Sequence, residues 1–326
     1  MALTKENLIT LYTNLVRTRA FDRAFVRRLM EGKLLGFYHP ADGGEAPGVG
    51  ACSFLRQDDY LWPHLRGHGL PHTISKGLNP KYYMAEHGGK ATGMCRGMST
   101  FHSVAPEFGV MGAAGTIGSG FPVTVGFGLA AKKNGRGQIV MCCFGDGTSN
   151  RGTFHECALM VNNWKLPVIF LCENNGMGMY VPVKDSHPVP DIASLAQGYG
   201  MPGVVVDGQD VIAVAEAVQV AVERARQGKG PSMIEAKCER FCAHSVGVED
   251  FIGADIRPAE EINRLRETRD PVKLCRQKLL DQGLLTEEDV SRLQDEAEAE
   301  VEAAEKFVEE SPITDPSIFD ELLYAR

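Results

Sequence analysis

Two short apolar runs organise the middle of the chain, Gln138 to Phe144 (QIVMCCF) and Leu166 to Cys172 (LPVIFLC). Each ends in a polar cluster, Gly145-Asp146-Gly147 after the first and Glu173-Asn174-Asn175 after the second, and the residues between them are helical in character. Continuous apolar runs bounded by turn residues read as strands buried on both faces. Joined by one helix, they predict a parallel pair with a right-handed crossover, which brings both strand ends to the same edge of the sheet. Further on, Gly203 to Asp207 reads as a strand, Val211 to Gln227 as a helix after the turn Gly208-Gln209-Asp210, and Ser232 to Lys237 as another strand. The alternation predicts an α/β fold, a mainly parallel sheet with helices on both faces.

The flanks read as helix. Leu8, Leu11, Leu15 and Phe21 recur among charges between Lys5 and Met30, and predict a long peripheral helix. A small-residue helix is expected over Pro122 to Lys133, behind a glycine-dense segment from Gly112 to Gly120. That segment has the wrong glycine order for a dinucleotide loop, and no clear strand precedes it. From Thr286 to Glu310 the apolar residues Val290, Leu293, Ala297, Val301, Ala304 and Val308 fall on one face. Thr286-x-x-Asp289 is a capping pattern, so a long amphipathic helix is expected, packed against its own domain. The reading is one domain over residues 1–265 with a helical extension over 266–326.

Composition narrows the function classes. The 326 residues carry a formal net charge of -8 and no Lys/Arg block, which argues against a nucleic-acid partner. No run of about 18 apolar residues suggests a membrane span, and MALTKENLIT has neither a signal nor a transit pattern, so a soluble cytoplasmic protein is expected. The nine cysteines show no C-x-x-C pair or regular Cys/His spacing. Cys142, Cys143 and Cys172 lie inside strands and read as small buried hydrophobes.

The strand ends carry the chemistry. Asp146 and Asn175 should converge, and one carboxylate with one carboxamide leaves room for magnesium to take phosphate oxygens, a carbonyl and water. Gly145 and Gly147 let the backbone approach a phosphate, and the following helix points its N-terminus at the anion. A diphosphate site follows.

This GDG-to-NN pattern, with ENNGMGMYV (Glu173 to Val181), FYHPADGGEA, LRGHG, GTIGSG, NWKLPVIF, GKGP and AHS in order from about Leu8 to Leu265, resembles the alpha subunit of the thiamine diphosphate-dependent first component of 2-oxo acid dehydrogenase and acetoin dehydrogenase complexes. The resemblance implies the thiamine diphosphate-binding fold, with thiamine diphosphate and Mg2+ as cofactors. It makes Asp146, Asn175 and the backbone carbonyl of Met177 the metal ligands, and places Met179 under the thiazolium ring. Arg66 and His68 match positions at the diphosphate and active site, and the backbones of Gly115 and Ile117 match those that hold the aminopyrimidine. His39 and His244 match the catalytic histidines, and His244 with Ser245 matches a pair on a mobile loop that touches the diphosphate. His102 is a lesser candidate.

The resemblance also implies a missing half. The glutamate that activates the ring comes from a pyrimidine-binding domain in a beta-type subunit, so a heterotetramer is expected, with a lipoyl acyltransferase as further partner. A 2-oxo acid or acetoin would be the substrate, and the compact chain leans towards acetoin. Leu65 stands where relatives commonly have Tyr, Gly44 where many have Gln, and the loop His244 to Asp250, with Cys242 before it, departs from the usual pattern. These departures put lipoyl coupling in question and keep a non-catalytic paralogue as an alternative. A split transketolase-like subunit is less favoured, because Thr148 to Gly152 lacks the glutamate-rich segment those proteins carry after GDG.

Overall fold

In the computed structural model the described residues are 2–247 and 255–323. The predicted strands form the centre of a parallel sheet made of β1 (Tyr60–Trp62), β2 (Val140–Gly145), β3 (Val168–Asn174), β6 (Gly203–Asp207) and β7 (Ser232–Lys237). Its order is β1-β2-β3-β7-β6, and every neighbouring pair is parallel. A two-residue hairpin, β4 (Met177–Gly178) and β5 (Val181–Pro182), follows β3. Both central strands run further than their apolar stretches, because polar residues at their ends are still paired: Gly145 lies opposite Glu173, and Asn174 opposite Lys237.

Strand alternation divides the interior in two. Met141, Cys143, Ile169, Leu171, Ile234 and Ala236 face one layer, while Val140, Cys142, Phe144, Val168, Phe170 and Met233 face the other. The first layer contains α1 (Lys5–Met30), α2 (Glu45–Ala51), α3 (Leu70–Ser75), α4 (Pro80–His87) and α8 (Val211–Arg226). The second contains α5 (Gly120–Asn134), α6 (Gly152–Asn163) and a 3-10 segment, Ile192–Tyr199. A single turn, α7 (Val183–Ser186), follows the hairpin. Helices thus cover both faces.

Of the C-terminal helices α9 (Ala259–Thr268), α10 (Pro271–Asp281) and α11 (Glu287–Glu310), the last two join the first layer. Thr286 and Asp289 form the reciprocal capping box, and all six apolar residues expected on the inner face of α11 are buried, packed towards α1 and α4. Arg17 of α1 grips Glu300 through two hydrogen bonds of 2.7 Å. Arg19 bonds Glu45, the first residue of α2, and, at 3.1 and 3.2 Å, the Asp270 carboxylate that caps α10. The expected boundary after residue 265 falls inside α9, and the helices beyond it share one core with α1, α4 and the sheet. Among the described residues no helix is long and apolar enough to cross a membrane.

This packing yields a first expectation. Leu293→Ala should lower the unfolding free energy by about 2–4 kcal/mol, as deletion of a buried leucine side chain does. The urea midpoint measures it; a loss below about 0.5 kcal/mol would mean that α11 contributes little to the core.

Candidate functional site

Chain direction after each strand builds a crevice at the carboxyl edge of the sheet. After β1 and β7 the chain passes to the α1 side, since Leu70 and Ile74 of α3 pack in that layer and Phe241 N–H donates to the Asp42 carbonyl at 2.9 Å. After β2 and β3 it passes to the other side, through Phe154 and Ile192. Such a divergence opens a cleft outside the strand ends, where open α/β sheets bind ligands. The residues that line it come from all four loops.

Asp146 follows β2 and is 2 % exposed, so the strand-end carboxylate lies inside the cleft floor. Asn175 meets it, as the crossover requires, with its backbone N–H bonded to the Asp146 carboxylate. The Asn175 side-chain oxygen accepts from Met177 N–H at 3.2 Å, which folds Met177 back over the strand ends. Asp146 Oδ2 is buried with no hydrogen-bond partner. Burial pushes its carboxyl pKa up, although the Asn175 N–H and nearby basic groups act the other way. A half-satisfied buried carboxylate of this kind is a place for a cation. Ser149 Oγ and His187 Nε2 brace the backbone carbonyl of Asp146 at 2.6 and 3.3 Å.

The two glycines around Asp146 each leave room for a neighbouring group. A Cβ on Gly145 would lie 2.9 Å from His64 Nε2, so the space is held for an imidazole ring. A Cβ on Gly147 would lie 3.3 Å from the Gly178 Cα, where the hairpin after β3 crosses. Met179, in the turn of that hairpin, has φ 58° and is 44 % exposed. A non-glycine residue in the left-handed region is held there by its surroundings. Arg240 supplies part of that hold by donating to the Met179 carbonyl at 2.9 Å.

Two buried guanidinium groups lie beside His39 and His244, Arg66 also acting on this carboxylate, and neither forms an ion pair among the described residues. Arg66 is buried and donates to the carbonyls of Pro40 (3.2 Å) and His244 (2.8 Å), leaving Nε unpartnered. Arg240 is 1 % exposed, with Nε and Nη1 unpartnered, and burial together with Arg66 lowers its pKa to about 10. Ser245 Oγ is also buried and unpartnered. Buried N–H and O–H groups are costly when left unbonded. Unpartnered donors in the same cleft as an unpartnered carboxylate oxygen fit a magnesium-bound diphosphate, which would supply acceptors to the donors and a cation to Asp146.

The histidines lie beside this anion site. His39 N–H donates to His68 Nε2 at 3.2 Å, so that nitrogen is an acceptor, and the 2.8 Å contact between His39 Nδ1 and His68 Nε2 is a donation from His39. His39 Nε2 therefore keeps its lone pair. Burial and then Arg66 press the pKa of His39 far below its ordinary value. In this arrangement His39 offers the cleft an acceptor nitrogen. His244 is the complement. Arg66 Nη2 approaches its Nδ1 at 3.4 Å, leaving the proton on Nε2, and burial and Arg66 lower its pKa to about 3. The two rings meet edge to face at 4.7 Å. His68 itself is 2 % exposed with φ 48°, stacked on His87 at 5.3 Å, and serves to seat His39.

On the far wall, Gly115 and Ile117 are exposed, Ile117 by 46 %, and Gly115 N–H donates to His102 Nε2 at 3.1 Å. Between this segment and the ends of β1 and β2 lies a cavity of about 70 Å³, lined by Trp62, His64, Ile117, Phe144 and Thr148. Leu65 is half-buried on its rim. Gly44 precedes α2, where a Cβ would come to 3.4 Å from the Glu239 carbonyl. Val248, Glu249 and Asp250 of the altered loop lie outside the described residues.

Sequence reasoning missed three residues of the cleft. Arg240 sits four residues before His244, and the string ERFCAHS could have suggested it. His64 lies two residues before Arg66 in WPHLRGHG, and its signal was its closeness to that arginine. Glu173 reads as part of the ENN cluster, but it is 3 % exposed and accepts from two histidines, His64 Nδ1 at 2.9 Å and His72 Nε2 at 2.7 Å.

A family model described as "Dehydrogenase E1 component" matches residues 13–317. The alpha subunit of acetoin:2,6-dichlorophenolindophenol oxidoreductase from Bacillus subtilis (strain 168) is 37 % identical over 317 residues, covering 96 % of this chain and 92 % of its own. The pyruvate dehydrogenase E1 component subunit alpha of Porphyra purpurea is 34 % identical over 331 residues, covering 99 % and 94 %. The corresponding acetoin oxidoreductase subunit of Cupriavidus necator is 36 % identical over 317 residues, covering 97 % and 93 %. The chain belongs to the dehydrogenase E1 component family, as an alpha-type subunit of a thiamine diphosphate-dependent oxidoreductase.

Proposed function

We propose that this subunit holds the diphosphate and magnesium of the cofactor, acts on a 2-oxo acid or acetoin, and delivers the acyl or aldehyde unit to a lipoyl acceptor in company with a beta-type subunit. The observation that carries this reading is a buried Asp146 carboxylate oxygen with no partner among the described residues, within electrostatic reach of Arg66, whose Nε is likewise buried and unpartnered and which in turn acts on the similarly unpartnered Arg240. Asp146, the Asn175 side-chain oxygen and the Met177 carbonyl would hold the metal, and Arg66, Arg240 and Ser245 the phosphate oxygens. Gly145 and Gly147 keep the backbone compact beside them, and His68 supports the floor. The backbones of Gly115 and Ile117 and the exposed Met179 would border the two rings. The thiazolium of bound thiamine diphosphate supplies the carbon nucleophile that attacks a carbonyl group.

The protein's own contribution is proton placement. His244 presents an Nε2–H and His39 an Nε2 lone pair across one edge-to-face contact, so a substrate oxygen and a substrate hydroxyl each find a complementary neighbour. Both imidazoles are kept neutral by burial and by Arg66. The apolar residues left exposed at the mouth, Ile117 and Met179 with Val181 at 50 %, support completion of the cleft by another subunit, from which the ring-activating glutamate would come. A lipoyl acyltransferase would then receive the product, and a cytoplasmic setting suits such a complex.

Calorimetry on the chain assembled with a beta-type subunit tests the site. Magnesium-dependent thiamine diphosphate binding is expected, and Asp146→Ala should abolish it without lowering the urea midpoint. Loss of folding with binding retained contradicts the reading, and no binding by the wild type would instead favour a non-catalytic paralogue. Arg240→Met should weaken cofactor binding about ten-fold or more, the value of a hydrogen bond to a charged group. The cofactor-free protein should unfold at no lower temperature, because an unneutralised buried charge is removed. A lower Tm with unchanged affinity would make Arg240 structural. With 2-oxo acids and acetoin as trial substrates, His39→Ala should leave cofactor affinity within two-fold and reduce turnover by about 10²-fold or more; equal loss of both would place His39 among the cofactor ligands.

A further inference from the structure

His64 is held unlike a packing histidine. Its ring follows β1, and Nδ1 is fixed by Glu173 Oε2 at 2.9 Å. Glu173 is held in turn from beneath by the fully buried His72 at 2.7 Å. One Glu173 oxygen thus serves each ring, Oε2 that of His64 and Oε1 that of His72. A carboxylate bonded to one nitrogen of an imidazole fixes the ring's orientation and leaves the other nitrogen for a ligand.

That other nitrogen faces the cleft. Nε2 of His64 takes the space a side chain on Gly145 would fill, one residue before Asp146, and has no hydrogen-bond partner among the described residues. Its ring lines the cavity between Ile117 and Thr148. It lies within electrostatic reach of Asp146, His39 and His244. A histidine serving only the core would have both nitrogens bonded inside the protein or an apolar surrounding; here one nitrogen is anchored and the other open.

We infer that His64 is a ligand-contacting residue, which in the liganded cleft carries a proton on both ring nitrogens and donates Nε2–H to an anionic oxygen while Nδ1–H stays on Glu173, its positioning residue. The inference rests on the reading of the cleft as a cofactor site, and the oxygen belongs either to the cofactor diphosphate or to the carboxylate of a 2-oxo acid.

Two measurements on the assembled complex separate these sources: the Kd of magnesium and thiamine diphosphate by calorimetry, and KM at saturating cofactor for pyruvate and for acetoin, which has no carboxylate. His64→Ala should raise one of them five-fold or more. A rise in Kd assigns the diphosphate, and a rise in KM for pyruvate but not acetoin assigns the carboxylate. Glu173→Gln should move the same quantity in the same direction. His64→Gln, whose amide reaches towards the Nε2 position but cannot keep the bond to Glu173, should recover part of the loss, which a purely structural role would not allow. If the wild type binds cofactor, Asp146→Ala abolishes binding, and His64→Ala moves neither quantity beyond two-fold, the site stands and the assignment of His64 is wrong. If the wild type binds no cofactor, both fall together.

Discussion

Unneutralised charge held out of water is the constraint on which the site depends. Asp146 Oδ2, Arg66 Nε, and Nε and Nη1 of Arg240 are buried in the cleft with no hydrogen-bond partner among the described residues. Removing such groups from water is unfavourable unless something bonds to them. The fold tolerates the arrangement because the rest of the interior is conventional: two apolar layers on either side of a parallel sheet whose central strands β2 and β3 are fully buried. Stability comes from the layers, and the strand ends are free to be unsatisfied.

Keeping unsatisfied groups in place needs a rigid surround, and much of the chain far from the cleft provides it. Asp22 on α1 accepts from Tyr38 Oη at 2.8 Å and from Ala41 N–H at 2.7 Å, which fixes the segment that carries His39. Gly67 N–H donates to the His39 carbonyl at 2.7 Å, joining that segment to the loop of Arg66 and His68. Arg19, three residues before Asp22, ties the same helix to Glu45 and Asp270. The N-terminal helix therefore links the C-terminal helices to the histidines through bonds a few residues apart. On the other wall, the Asn174 side chain bonds Glu235 at 2.7 Å and receives Gly176 N–H at 2.9 Å, so adjacent asparagines divide the work: one secures the sheet and the other faces Asp146.

The sheet was legible wherever its signal was continuous. QIVMCCF and LPVIFLC announce strands buried on both faces, and the polar clusters after them locate the cleft. β1 was not legible, because three residues, Tyr60 to Trp62, are too few to show a period and take their place from pairing with β2. The inner face of α11 could be read residue by residue, since a 24-residue amphipathic helix repeats its pattern many times. In the cleft, Asp146 and Asn175 were legible because crossover geometry alone brings them together. Arg240, Glu173 and His64 were not. Their importance lies in being buried without a full set of partners, or in supplying one, and those are properties of packing in three dimensions. Gly145 illustrates the limit: a glycine beside an aspartate reads as an approach for phosphate, and only the fold shows that a Cβ there would meet the imidazole of His64 in the loop after β1.

The opposite tautomers of His39 and His244 follow from the same economy of donors. His68 can accept the ring proton of His39 only because its Nε2 is already committed as an acceptor to a backbone N–H, and that commitment is made by the left-handed turn at His68 itself. Arg66 sets His244 the other way by donating towards Nδ1 while its remaining N–H groups hold the loop carbonyl. One arginine thus positions the loop, selects a tautomer and opposes protonation of both rings. A lysine would supply the charge without the planar set of donors that makes these roles compatible. Pairing an acceptor imidazole with a donor imidazole, both neutral, lets a hydroxyl and an oxygen be hydrogen-bonded side by side in the cleft without adding charge beside the arginines.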